Sequence, residues 1–276
     1  VSWDANREMV IGSLELRLGN LTLAAHPLRR LPEEQKTAIL CEAIRAKGLS
    51  FFNWGDSETG WQARVLSLRK WRPSEAWPDV SNESLLQTLE EWLAPFLVNV
   101  YKRSEITKLD NHAMLNTLLP WDLSQRFSEL VPVSLRVPSG SMIRLQYFAD
   151  GQPPVMEVRL QEVFGLLETP TVNEGRNKVV MHLLSPGFKP VQVTQDLKSF
   201  WATTYTEVRK ELRSRYPKHS CPEDPWTAEA VRGVIELAKQ HAVHGRRFAA
   251  FEARIGGVPY QVVVHLLYYT QQPVRP

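Results

Sequence analysis

The chain has 276 residues, 43% hydrophobic and 23% charged, with a formal net charge of +3 and a pI near 8.9. That composition is that of an ordinary soluble protein and suits one large domain or two to three small ones, each with its own core; no apolar run approaches the roughly 20 residues of a membrane span. Two cysteines, Cys41 and Cys221, are too few for a disulfide framework or a zinc site of their own, so a cytoplasmic setting is expected.

The first residue is Val1 and no basic-then-apolar leader follows, which leads us to expect a piece of a longer protein. Residues 8–23 alternate apolar and polar side chains (Val10, Leu14, Leu16, Leu18, Leu21, Leu23) around Gly19-Asn20 and read as a β-hairpin. A helix is predicted from Pro32 to Gly48, with Glu33 and Glu34 in its first turn and Ala38, Ile39, Ala43 and Ile44 facing the core. The polar interval 54–61 reads as a loop. Helical spacing resumes over 62–71, where Arg64, Arg69, Lys70 and Arg72 form a basic cluster.

Two prolines and a tryptophan in 73–79 suit a linker. A mostly helical stretch follows over 81–129, with Trp92 and Trp121 expected in the core. From Val131 the pattern turns to short apolar runs separated by Pro138-Ser139-Gly140 and Asp150-Gly151, which predicts antiparallel strands. The fold class expected is α+β, helices with a β-rich antiparallel unit, barrel-like or a small sheet.

The most informative stretch is 191–225. Thr194 is the expected helix cap, Asp196 lies in the first turn, and Leu197, Phe200, Trp201, Tyr205, Val208 and Leu212 recur at spacings of three and four. Lys198, Arg209, Lys210, Arg213, Arg215 and Lys218 gather on the other side, with Tyr205 and Tyr216 nearby. Clustered cations beside aromatics fit single-stranded nucleic acid. Glu207 and Glu211 temper that reading, since helix neighbours can neutralise one another and leave a solvated face. Residues 227–241 read as a helix, and 248–254 with 260–267 as a hairpin about Gly256-Gly257.

No G-x-x-x-x-G-K-[ST] loop and no Asp-Glu-Ala-His run occurs, so the sequence carries neither the phosphate nest nor the magnesium-holding residues of an NTPase. Ser139-Gly140-Ser141 offers backbone amides to a phosphate, or is a plain turn. His241 and His244 have the spacing of half a metal site. His182, His219 and Asp196 are an acid–base set only if the fold assembles them.

The wording TQDLKSFW, YTEVRKELRSRYPKH and PEDP, with VPSGSMIRLQY at 137–147, RLQEVFGLLETP at 159–170 and HLLSPGFKPVQVTQDL at 182–197, resembles the C-terminal region of the HrpB-type bacterial ATP-dependent helicases of the DEAH-box group. Cys221 stands where that family has an aromatic, and 234–276 does not resemble its short basic tail. The resemblance implies an accessory region with no catalytic residues or metal of its own, in a parent that hydrolyses ATP with magnesium. Its implied partners are RNA or single-stranded nucleic acid and the motor domains of the same chain, with no membrane; the charge clustering makes Lys198, Arg209, Lys210, Arg213, Arg215, Tyr216 and Lys218 the candidate nucleic-acid contacts. The alternatives are a protein-interaction module and an independent hydrolase or nuclease. The expected units are 1–72, a hairpin and helix; 73–132, a helical connector; 133–226, the β-rich signature unit; and 227–276, a helix-hairpin appendage.

Overall fold

The computed structural model describes residues 1–232, 251–255 and 258–262. Strand β1 (Ser2–Asp4) pairs antiparallel with β2 (Met9–Ile11), and β3 (Ser13–Leu18) with β4 (Leu21–Pro27). The hairpin about Gly19-Asn20 is therefore present. Residues 9–11 belong to a separate ribbon, however, because the chain breaks at Gly12, where a Cβ would collide with the Leu31 side chain.

Helix α1 (Glu33–Lys47) starts after Pro32 and ends at Gly48, which takes φ +72°. It buries Leu40, Cys41, Ala43 and Ile44 as an amphipathic stripe; Ala38 is exposed, contrary to expectation, and Lys36 is buried instead. The Lys36 ammonium is matched by Glu33 at 2.6 Å and by the Leu97 carbonyl at 3.1 Å. Helix α2 (Asp56–Trp71) takes in most of the interval expected to be a loop. Its polar opening is a helix start: Glu58 accepts from the Gly55 amide at 2.9 Å, and acids in a first turn favour the positive end of the helix dipole.

Short helices α3 (Asn82–Gln87), α4 (Leu89–Leu93), α5 (Arg103–Ile106), α6 (Asn111–Asn116) and α7 (Trp121–Leu130) complete the helical body. Trp92 is buried as expected. Trp121 is not: it is 78% exposed. The core stripe of α7 is Leu123, Phe127 and Leu130, and position 121 lies off that stripe at 100° per residue. The 73–79 segment, read as a linker, packs Trp77 into the same core against Phe127, ring centroids 6.1 Å apart.

The β-rich part is a five-stranded sheet in the order β11-β10-β7-β6-β5, made of β5 (Ser134–Arg136), β6 (Met142–Gln146), β7 (Val155–Arg159), β10 (Val180–Leu184) and β11 (Pro190–Thr194). It is not wholly antiparallel as expected: β7 and β10 run parallel, from Val155↔Val180 to Arg159↔Leu184. The crossover between them carries the small hairpin β8 (Thr171–Val172) and β9 (Asn177–Lys178). No closed barrel forms among the described residues.

Helix α2 joins the two halves. Ser67 Oγ donates to the Phe148 carbonyl at 2.9 Å, Trp71 Nε1 to that of Gly151 at 2.7 Å, and Arg64 to that of Val131 at 3.1 Å. Residues 227–232 carry no helix, contrary to expectation, because the chain here is a strap: Gly165 N donates to Pro225 O at 2.8 Å and Val231 N to Gln161 O at 3.0 Å. Strands β12 (Phe251–Ile255) and β13 (Val258–Val262) pair antiparallel on either side of the expected turn. The rest of the predicted 227–241 helix, and His241 and His244, lie outside the described residues.

Candidate nucleic-acid interface

The rod that carries the basic residues begins at α8 (Leu197–Ser199), passes through a π-helical turn (Phe200–Thr204), and continues as α9 (Tyr205–Arg215). Its cap is Asp196, whose carboxylate accepts from Ser199 N at 3.0 Å. Thr194, expected in that role, closes β11 and accepts from Asp196 N at 2.9 Å. The wider turn, in which the Tyr205 amide reaches back to the Phe200 carbonyl, lets neighbouring aromatics face the same core. Trp201 meets Phe200, Tyr205 and Phe164 with ring centroids 5.0, 5.3 and 6.1 Å away. Anchored there, the rod projects the C-terminal turn of α9 toward solvent.

The cations on that rod do different things. Arg209 is tied down, donating to the Cys221 carbonyl at 3.0 Å and to Glu223 at 2.8 Å, and so pins the loop after the helix. Lys210 pairs with Glu207 at 2.7 Å and Arg215 with Glu211 at 3.3 Å, the neutralisation expected of helix neighbours. Lys198 lies 3.9 Å from Glu168, with both side chains largely in water. Arg213 and Lys218 are exposed and have no carboxylate within 4.0 Å among the described residues. Arg209 and Arg213 line one cleft of about 500 Å³ with Pro217, His219 and Cys221.

Beside it stands a residue that the sequence did not single out. The β10–β11 turn is closed by Ser185 N donating to Lys189 O at 2.7 Å and Phe188 N to Ser185 O at 2.9 Å. This forces Phe188 to φ +60°, a left-handed conformation costly for a side chain with a Cβ, and leaves the ring 65% exposed. The Arg159 guanidinium lies over that ring, 5.1 Å from its centroid, while Glu162 holds Arg159 at 2.7 Å. The Tyr216 hydroxyl comes 3.4 Å from Ser185 Oγ and fills the space beside Gly187. His219 then packs edge-on against Tyr216 at 6.0 Å; burial, and next the charge of Arg159, holds its imidazole below the usual histidine range. The signal available in sequence was a bulky residue in the turn Ser-Pro-Gly-Phe-Lys, where a glycine or asparagine would cost less.

Other candidates resolve into structure. The Ser139 and Ser141 hydroxyls both donate to the Glu162 carboxylate, at 3.0 and 2.5 Å, so the turn cradles an internal carboxylate in place of a phosphate. Burial pushes the Glu162 carboxyl up, but the hydrogen bonds from Ser141 and Arg159 outweigh it and leave it below the ordinary range. Asp196 caps a helix, His182 faces Glu157 at 3.7 Å and His219 packs on Tyr216, so these three do not form one site. In the earlier cluster, Arg64 lies over Phe127 at 4.6 Å, Arg69 donates to the Trp77 carbonyl at 3.2 Å, and Arg72 is buried. No group of three or more metal-ligating side chains occurs among the described residues, and no helix of the described residues is long and apolar enough to cross a membrane.

The described residues form an α+β body with an aromatic-anchored rod and a mixed basic and aromatic corner. Residues 92–225 match the family described as ATP-dependent helicase C-terminal, and the chain carries the C-terminal region of the HrpB-type ATP-dependent helicase family. It is 40% identical over 232 residues to the ATP-dependent RNA helicase HrpB of Escherichia coli (strain K12), which covers 84% of this chain and 29% of that protein. Among solved structures, it resembles the crystal structure of E. coli DExH-box NTPase HrpB with a TM-score of 0.71 and 38% identity, over 84% of this chain and 28% of that one. It also resembles the crystal structure of the E. coli DEAH/RHA helicase HrpB, with a TM-score of 0.61 and 38% identity, over 79% and 28%. The chain thus spans less than a third of these relatives.

Proposed function

We propose that this chain is the non-catalytic accessory region of an ATP-dependent RNA helicase acting in the cytoplasm, and that the corner between the β10–β11 turn and the end of α9 holds single-stranded RNA. ATP and magnesium would be held by the motor domains, since this chain has neither the phosphate loop nor the acidic motif that binds them; its own share is to engage and position the strand. The observation that carries the reading is Phe188: an aromatic ring exposed on strained backbone, backed by Arg159 and followed by Lys189. A base stacks on the open face of such a ring, while Arg213 and Lys218 meet phosphates. Tyr216 touches the turn that carries Phe188, through Ser185 at 3.4 Å, and His219 lines the cleft with Arg213.

Phe188→Gly separates function from folding. Glycine relieves the left-handed strain, so the midpoint of thermal unfolding is expected to stay level or rise. Loss of one stacking platform is expected to weaken binding of labelled oligouridine by roughly 10-fold, from about 1–3 kcal/mol per stacked base. Unchanged affinity in a folded Phe188→Gly protein contradicts this reading.

A further inference from the structure

The β3–β4 ribbon leaves the body at Gly12 and Leu28, where Leu28 N donates to Gly12 O at 2.9 Å. Its register puts Leu14 opposite His26, Leu16 opposite Ala24 and Leu18 opposite Leu21, all on one face. Glu15 and Arg17 occupy the other, paired at 2.5 Å. Leu14, Leu16, Leu18 and Leu21 are 65, 62, 68 and 68% exposed, and Leu23 at the bulge is 59% exposed. A two-stranded ribbon is marginal on its own in water, and a contiguous apolar patch on a protein surface marks something that binds it.

Size and charge select the occupant. Five leucines exposed at 59–68% make an accessible patch on the order of 500 Å², the size of the largest patch on an ordinary monomer surface. A stable dimer buries about 800 Å² on each partner, so this patch alone is too small to hold a second copy. A partner in the same chain needs far less area, because the tether sets an effective concentration in the millimolar range. The face carries no Lys or Arg, which excludes phosphate recognition. More than two thirds of the helicase that this chain resembles lies outside the matched region.

We infer that the leucine face of β3–β4 docks on an apolar surface of the remainder of the helicase chain, making the ribbon the arm that fixes this region to the motor. The inference rests on family membership and not on RNA contact, so loss of the RNA reading leaves it standing. Hydrogen exchange at the 14–23 amides tests it, compared between the 276-residue chain and a complete helicase chain carrying this region. Protection is expected to be at least 10-fold greater in the complete chain. Leu16→Glu with Leu18→Glu should return it to the value of the shorter chain without lowering that chain's melting temperature, since both side chains lie in water there. Equal protection in the two proteins overturns the inference. So does protection in the shorter chain that grows with concentration alongside a dimer in sedimentation, which makes the occupant a second copy, or protection gained on adding RNA.

Discussion

Replacing Trp201 with alanine is expected to destabilise the protein by about 4 kcal/mol, the middle of the range for large aromatics in a core, and to lower the melting temperature by roughly 12 °C at about 3 °C per kcal/mol. The indole is 2% exposed, and its Nε1 donates to the Leu166 carbonyl at 2.9 Å. Truncation therefore opens a cavity among Phe164, Phe200 and Tyr205 and strips a backbone carbonyl of its partner at once. Trp201→Phe keeps most of the volume and loses the donor, so it should cost about half as much. Differential scanning calorimetry distinguishes the two. Equal melting temperatures for wild type and Trp201→Ala would mean that the rod is not anchored where the structure places it.

The second large effect belongs to Arg72. Its guanidinium is buried and bonds Asn173 Oδ1 at 2.5 Å, Glu75 at 2.6 Å and Glu174 at 2.5 Å. Arg126 joins the cage through Glu174 at 3.0 Å and Glu75 at 3.7 Å. Asn173 and Glu174 take φ +56° and +57°, a strained turn held in place by that side chain. Arg72→Met is expected to cost about 3 kcal/mol, as when one member of a buried ion pair is removed.

Acid should expose the same cage. Hydrogen bonds from Arg72 and then Arg126 hold the Glu174 carboxyl below its ordinary value. Burial raises that of Glu75, but Arg72 and Trp77 donate to it and the net shift is downward. Carboxyls depressed in the folded state contribute stability above their unfolded pKa of about 4.3, and lose it as pH falls through the folded value. The difference between wild type and Arg72→Met in urea denaturation should therefore be full at pH 7 and shrink below about pH 4. A difference that grows on acidification contradicts this account of the cage.

These two residues show what could be read in advance. Trp201 was legible as core because it shares the apolar spacing of Leu197, Phe200, Tyr205 and Val208, and spacing is a local property. Arg72 was not. It sat in a run of cations that looked like one surface, and its carboxylates come from residues 3 and 102 positions away. The same limit explains Arg209, whose partner Glu223 follows two prolines later, and Ser139, whose partner Glu162 arrives through the sheet. Trp121 differs for another reason: its aromatic character suggests burial, but its position off the Leu123, Phe127 and Leu130 stripe of α7 turns it to water. The hairpin about Gly19-Asn20 was visible as alternation, whereas that its leucines face water is a tertiary fact. Phe188 escaped because its importance lies in a backbone angle.

Beside the stacking on Phe188, the proposed contact requires Arg213 and Lys218 to meet phosphates, while Arg209 pins the loop after the helix and Lys210 and Arg215 are offset by Glu207 and Glu211. Affinity for oligouridine measured from 50 to 200 mM salt tests it, because each phosphate neutralised on a single strand contributes about 0.7 to the slope of log affinity against log salt. Arg213→Ala with Lys218→Ala should flatten that slope by about 1.4, whereas Lys210→Ala, whose charge Glu207 already offsets, should leave it in place. A slope unmoved by the double substitution would contradict the account.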